Sequence, residues 1–262
     1  MTTVGDILNY LQTVAPEFMK YEWDRVGLNC GRLDAPVTKI LVALDPFSEA
    51  IAEAKEIGAE LLVTQHALIW DGGFVNDQSI WGKNALDLIE NGIAHINAHT
   101  NLDCAPGGVN DVLAEVLGLT DISVANPMGT DGQNRPYGLL RVGTVSRQPM
   151  ETFLDTVKNA LGQKCLRYVN PSETVCRVAV GGGSCGDDLM DAYRAGCDTF
   201  VTADVKYNQF RTAYDLGINL IDAGHFHTEN PVIRVLAQII AAQFPKITVK
   251  ISENLCDHMK FY

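Results

Sequence analysis

IGAELLVTQH, residues 57–66, and AGCDTFVTAD, residues 195–204, read as two copies of one pattern. Each has a glycine, a small residue, an acid, a four-residue β-prone run, and a polar side chain where the run stops. The surroundings repeat as well. KILVALD (39–45) and FSEAIAEAKEIG (47–58) precede the first copy, and GKNALDLIENG (82–92) and IAHINAHT (93–100) follow it. RVAVGGG (177–183) and GDDLMDAYRAG (186–196) precede the second, and YNQFRTAYDLG (207–217) and INLIDAGH (218–225) follow. Short apolar runs alternating with helical periodicity are the sequence form of βαβ units and a mainly parallel sheet. NGIAHINAHTNLD (91–103) also matches LGINLIDAGHFHTE (216–229). The expectation is an α/β chain of two similar βαβ-type halves, an internal duplication forming one globular unit with a cleft between them. Residues 1–125 form the first half, and 126–262 a connector and the second half. The connector is read in VANPMGTDGQNRPYGLLRVGTVSRQPM (124–150), rich in Gly, Pro and Asn and then alternating like an antiparallel strand.

The chain has 262 residues, 47% of them apolar and 20% charged, an ordinary globular composition long enough for one large core or two small domains. Twenty basic against 32 acidic residues give a net charge of −12, which opposes the phosphate contacts of nucleic-acid binding. The opening MTTVGDILNYLQTVAPEF places Val4, Ile7, Leu8 and Leu11 at helical spacing and has an early Asp, so a helix is expected there rather than a signal peptide. No apolar run approaches membrane length. Seven scattered cysteines without a C-x-x-C pair suggest neither a disulfide framework nor a zinc ribbon, and a reducing cytoplasm is the simplest compartment.

In open α/β sheets ligands bind at the carboxyl ends of strands. Four strand ends here carry polar side chains: His66 in TQHALIW, His99 and Asp103 in AHTNLD, Asp204, Lys206 and Tyr207 in TADVKYN, and His225, His227 and Glu229 in LIDAGHFHTENPVI (220–233). Imidazoles mixed with carboxylates from separate segments are a ligand set for zinc, iron or manganese, whereas calcium or magnesium would take oxygens almost alone. Structural roles compete with ligation. His95 alternates inward with IAHINA and reads as a core or interface histidine, and His258 has no partner motif. Asp103 could cap the helix of PGGVNDVLAEVLG, and Glu229 could sit in the first turn of NPVIRVLAQII, where a carboxylate favours the dipole. His66, Asp103, His225 and Glu229 form the strongest set.

VAVGGGSCGDDL (178–189) offers a rival of another class, because Gly182-Gly183-Ser184-Cys185-Gly186 fits G-x-S-x-G between a strand and a helix. Asp222 and His225 follow in the Ser, Asp, His order. No HGGG-type oxyanion loop accompanies it, and Asp222 and His225 lie too near each other for strand-separated partners. Read structurally, the glycines let a strand pack closely against the next helix, and Cys185 is a small packed thiol. Lys206 has no Walker pattern around it.

YEWDRVGLNCG (21–31), TQHALIW (64–70), AHTNLDCAPGGVNDVLAEVLGL (98–119) and VTADVKYNQFRTAYDLGINLIDAGHFHTE (201–229) resemble, in order, the E-x-W-D-N-x-G-L, T-H-H-P-L-I-F, H-T-N-L-D and T-G-D-V-K-Y-H…D-A-G-H-x-x-T-E segments of the Nif-three-like proteins, often described as GTP cyclohydrolase type 2 homologues. The likeness runs through nearly the whole chain, in the short form without an inserted domain. It implies two similar α/β halves, a dinuclear metal site between them, and a homohexameric ring. Its ligands fall on His66, Asp103, His225 and Glu229, and the first histidine of its pair falls on Gln65. An amide is a weaker and harder ligand than imidazole, so the second ion is expected to bind less well. His227 stands at a position usually small in that family, Ala203 where it has Gly, and Asn208 where it has His.

The function expected is a metal-dependent hydrolase of a nucleotide-like or other small substrate, with zinc, iron or manganese, one or two per subunit. Glu229 or His99 would move protons. The alternative is a non-catalytic metal-binding, delivery or regulatory ring protein. Either way the expected chain is cytoplasmic and homo-oligomeric, without nucleic-acid or membrane partners.

Overall fold

The computed structural model describes residues 1–69 and 74–262, so Trp70, the last residue of TQHALIW, lies outside the described residues. The chain forms two compact units, Met1–Leu102 with Ile233–Cys256 and Asp103–Val232 with Asp257–Tyr262. The first begins with α1 (Val4–Val14), then β1 (Gly27–Cys30), β2 (Lys39–Ala43), α2 (Ser48–Glu56), β3 (Leu61–Thr64), α3 (Ile80–Glu90) and β4 (Ala94–Asn97). Within α4 (Thr100–Cys104) the chain passes into the second unit. There it forms α5 (Val109–Val116), β5 (Thr120–Val124), the two-residue strands β6 (Gly129–Thr130) and β7 (Pro136–Tyr137), β8 (Arg141–Pro149) and α6 (Met150–Leu161). β9 (Arg167–Val169), β10 (Thr174–Val180), α7 (Leu189–Arg194), β11 (Thr199–Thr202), α8 (Tyr207–Leu216), β12 (Asn219–Asp222) and α9 (His225–Glu229) complete that unit. α10 (Pro231–Gln243) leads back to β13 (Thr248–Ile251) in the first.

The expected opening helix forms for the expected reason. Thr3 accepts from the Asp6 N–H while the Asp6 carboxylate accepts from the Thr3 N–H, a capping box, and Val4, Ile7 and Leu11 are buried on one face. The first sheet runs β1-β4-β3-β2-β13, parallel except for β1. The second runs β5-β8-β10-β11-β12-β9, with β10, β11 and β12 parallel. β8, from the Gly- and Pro-rich connector, inserts antiparallel between β5 and β10. The connector is therefore part of the second sheet.

Parallel strands covered on both faces read as continuous apolar runs rather than as alternation. In β10, Val178 and Val180 join Phe153, Val157, Val201 and Ile221, whereas Ala179 between them joins Phe200, Leu189, Ala213 and Leu220 on the opposite face. The first unit packs Leu41, Ala43 and Leu62 against Ile51, Ala85 and Leu88. Each fully buried side chain of this kind contributes on the order of 1.5–3 kcal/mol.

The two units carry the same local design. Thr64 of β3 pairs with Asn97 of β4, and Thr202 of β11 pairs with Asp222 of β12, in the stagger that the sequence repeat requires. After each second strand comes a short helix, α4 or α9. Among the described residues, no helix is long and apolar enough to cross a membrane.

Candidate metal centre

In the first unit, Asp45 and His66 each stand two residues past the end of their strands, β2 and β3. The His66 N–H donates to Leu44 O at 3.0 Å, and its Nδ1 lies 2.6 Å from Asp45 Oδ1. His99 follows β4, with Nδ1 2.9 Å from Asp24 Oδ1. The other Asp24 oxygen accepts from the Thr100 N–H at 3.0 Å and the Thr100 hydroxyl at 2.5 Å, so one carboxylate orients His99 and caps α4. Burial alone would raise the Asp24 carboxyl, but the bonds from His99 and Thr100 hold it below the usual range. The His66 and His99 rings pack with centroids 5.6 Å apart. Gln65, next to His66 in sequence, is fully buried.

In the second unit, the chain after β12 turns into α9 at His225, with Gly224 at its N-cap. Helical spacing puts residues i and i+4 on one face. His225 Nε2 consequently lies 3.1 Å from Glu229 Oε2, and His227 points elsewhere, its Nδ1 2.9 Å from Leu161 O and its Nε2 3.4 Å from Asp257 Oδ2. On its other side, His225 Nδ1 is 2.6 Å from Asp204 Oδ2. Asp204 has a positive φ of 51°, a conformation that aspartate tolerates better than most side chains. Burial opposes charge on His225, but Asp204 and Glu229 outweigh it and raise its pKa to about 11. The hydrogen bond from His225 in turn lowers the Asp204 carboxyl.

The glycine run after β10 builds the wall behind this pair. A Cβ at Gly183, where φ is +66°, would overlap Glu229 Oε1 and meet His225 Nε2 at 3.1 Å. The Gly183 N–H donates to Thr228 Oγ1 at 3.0 Å, and the Gly182 N–H donates to Asn110 Oδ1 at 2.7 Å. Asn110 also donates to Asp103 O at 3.2 Å. Asp103 is buried in α4, whereas α5 starts after Gly108 and Asp111 accepts from the Gly107 N–H. After burial and Asp188, the charges of Asp103 and Glu229 help to raise the Cys185 thiol well above its ordinary value. Cys185 is therefore a packed thiol, 5% exposed, with Sγ 3.1 Å from Gly182 O.

The serine-hydrolase arrangement does not assemble. Ser184 is exposed, Asp222 accepts from Arg167 and from the Val205 and Gly224 N–H groups, and His225 faces Asp204 and Glu229. Three carboxylates, Asp45 and Asp204 after strands β2 and β11 and Asp24 in the segment before β1, each hold the Nδ1 of one histidine. Asp45 and Asp24 are the two that sequence reading missed, although Asp45 closes KILVALD at a strand's carboxyl end. A carboxylate on Nδ1 fixes the tautomer whose Nε2 lone pair ligates a metal and raises its basicity. The donor set suits zinc, iron or manganese, and the glycine wall preserves space for it.

The profile of one family, Duf34/NIF3 (NGG1p interacting factor 3), matches residues 2–256. A relative in Clostridium perfringens, described as a GTP cyclohydrolase 1 type 2 homolog, is 33% identical, over 98% of this chain and 94% of its own. A Streptomyces coelicolor protein of the same description is 34% identical over 99% and 91%. Among solved structures, a hypothetical protein of Staphylococcus aureus superposes with a TM-score of 0.93 at 29% identity, covering 99% of both chains. The reduced form of HcgD from Methanocaldococcus jannaschii gives 0.82 at 27%, covering 96% of this chain and 98% of its own.

Proposed function

The chain belongs to the Duf34/NIF3 family, and from that premise we propose that it is a metal-dependent hydrolase acting on a small, nucleotide-like substrate. His66, His225 and Glu229 are the group proposed to hold a divalent ion, with Asp103 and Gln65 as further donors to a second, weaker one. The observation that carries the reading is the repeated carboxylate on histidine Nδ1, since an orienting acid behind an imidazole is what metal-ligating histidines use. The description of the relatives as GTP cyclohydrolase 1 type 2 homologs supports a nucleotide-like substrate.

When bound, the ion would supply Lewis acidity and lower the pKa of a water to about 7. The protein's part is positional. Asp45 and Asp204 orient His66 and His225, and Gly183 leaves the Glu229 carboxylate its place. His99, oriented by Asp24 through Nδ1, is proposed to take or return a proton at the substrate. A homohexameric cytoplasmic ring is the assembly proposed for it.

The test is metal analysis of protein purified with and without oxygen, followed by turnover assays on a panel of nucleotides with zinc, iron or manganese restored. Metal-dependent hydrolysis, abolished by Glu229→Ala together with most of the bound metal, is the expected result. Bound metal without turnover on any substrate would point to the non-catalytic ring. Full metal content in Glu229→Ala would remove Glu229 from the ligands.

A further inference from the structure

Residues 21–24 form a bracket around His99 within the first unit. The Tyr21 N–H donates to Thr100 Oγ1 at 3.1 Å, and Asp24 binds His99 and Thr100. The backbone is thus pinned on both sides of Trp23. Its side chain nevertheless stays 64% exposed, which leaves unused much of the stabilisation that burying an indole provides. The indole is held by rings: Tyr21 lies nearly parallel, at 11° with centroids 6.1 Å apart, and His99 packs on it at 68° and 5.9 Å. His99 in turn packs on His66.

We propose that Trp23 is a stacking platform for the planar heteroaromatic ring of a small-molecule ligand, which it sets down beside His99. This deepens the functional reading above and rests on His66 and His99 belonging to the site. Two features favour a small ring over a protein surface. Trp23 lies between exposed Glu22 and buried Asp24, with exposed Arg25 next, rather than among apolar residues, and Glu22 and Arg25 offer polar partners for ring nitrogens and oxygens. The indole also stands two ring contacts from His66, so a ring stacked on it lies within reach of the imidazole that Asp24 orients. Stacking tolerates many bases because each has a π-face, so the platform supplies affinity for a ring class, and edge contacts select within it.

The probes are GMP and AMP, with ribose 5-phosphate as the control that lacks a ring, titrated by calorimetry into the full chain loaded with zinc. Wild type is expected to bind both nucleotides and to bind ribose 5-phosphate at least about tenfold more weakly, with Trp23→Ala and Trp23→Leu losing about tenfold for the nucleotides and Trp23→Phe retaining most of the affinity. Exposure of the side chain keeps all three variants folded, which circular dichroism would verify. Equal nucleotide affinity in Trp23→Ala and wild type, or no nucleotide binding at millimolar concentration, overturns the proposal. So does a Trp23→Ala protein that changes only its sedimentation, which would make the indole an interface between copies. Zinc content measured on the same samples separates the two readings. Zinc bound with no effect of Trp23 rejects the platform alone, and nucleotide binding through Trp23 without zinc rejects the metal reading.

Discussion

Gly183 adopts φ +66° with Glu229 Oε1 where a Cβ would stand. Gly183→Ala should therefore displace the carboxylate, lose most bound zinc by mass spectrometry, and destabilise the fold by about 1–2 kcal/mol through the left-handed backbone. Zinc retained at the wild-type level would show that the wall is not needed. Ser184 is exposed in the same loop, and Ser184→Ala should keep any hydrolysis, with no labelling by a fluorophosphonate. His95 makes a different prediction. It is fully buried, with Nε2 2.7 Å from Thr64 Oγ1, and burial lowers its pKa to about 3. Between that value and the ordinary 6.5 the unfolded chain binds a proton here that the folded chain does not, so this stability is present above pH 6.5 and lost as pH falls. The share lost between pH 7 and pH 5 is about 2 kcal/mol. Urea denaturation of His95→Leu should show a flatter pH dependence by that amount, and an unchanged slope would contradict it. The inward alternation of IAHINA made the burial of His95 legible in sequence, but the Thr64 partner became visible only in the paired strands.

At the scale of elements, the strand ends carry both the proposed ligands and the acids behind them. Asp45→Asn and Asp204→Asn should each weaken zinc binding about 10- to 100-fold with little change in fold, measured by competition with a chelator. An unchanged zinc affinity in both would reduce the carboxylates to surface hydrogen bonds. α9 decided what the sequence left open. Sequence alternation does not say how His225, His227 and Glu229 face one another, and the helix that starts after Gly224 does. His225 and Glu229 then share a face, and His227 does not. Between α4 and α5, the Arg141 guanidinium, 1% exposed, pairs with Asp111 and donates to the carbonyls of Gly138, Cys104 and Ala105. Arg141→Met leaves the Asp111 carboxylate and these carbonyls without that donor. It should cost about 3–5 kcal/mol in urea denaturation, with Arg141→Met plus Asp111→Leu recovering part of the loss.

At the scale of the whole molecule, the net charge of −12 predicts weak or absent DNA binding at physiological salt, and a tight, salt-sensitive complex would contradict it. A metal that binds only the folded chain should raise stability by about 2.7 kcal/mol at a hundredfold excess over its dissociation constant, read as a rise in Tm on adding zinc. The Gln65 substitution should make two ions unequal, one surviving dialysis and one partly lost, with Gln65→His tightening the weaker. Two equally held ions in wild type would refute that account. The sequence by itself determined the α/β class, the repeat and the strand ends, because periodicity and local turn chemistry are written in neighbouring residues. Only the tertiary structure decided that β8 enters the second sheet, that Asp45 and Asp24 back two histidines, and that Gly183 stands against Glu229. Those pairings join residues 21 to 75 positions apart, or a backbone to a side chain that no sequence pattern links to it, and packing alone brings them into contact.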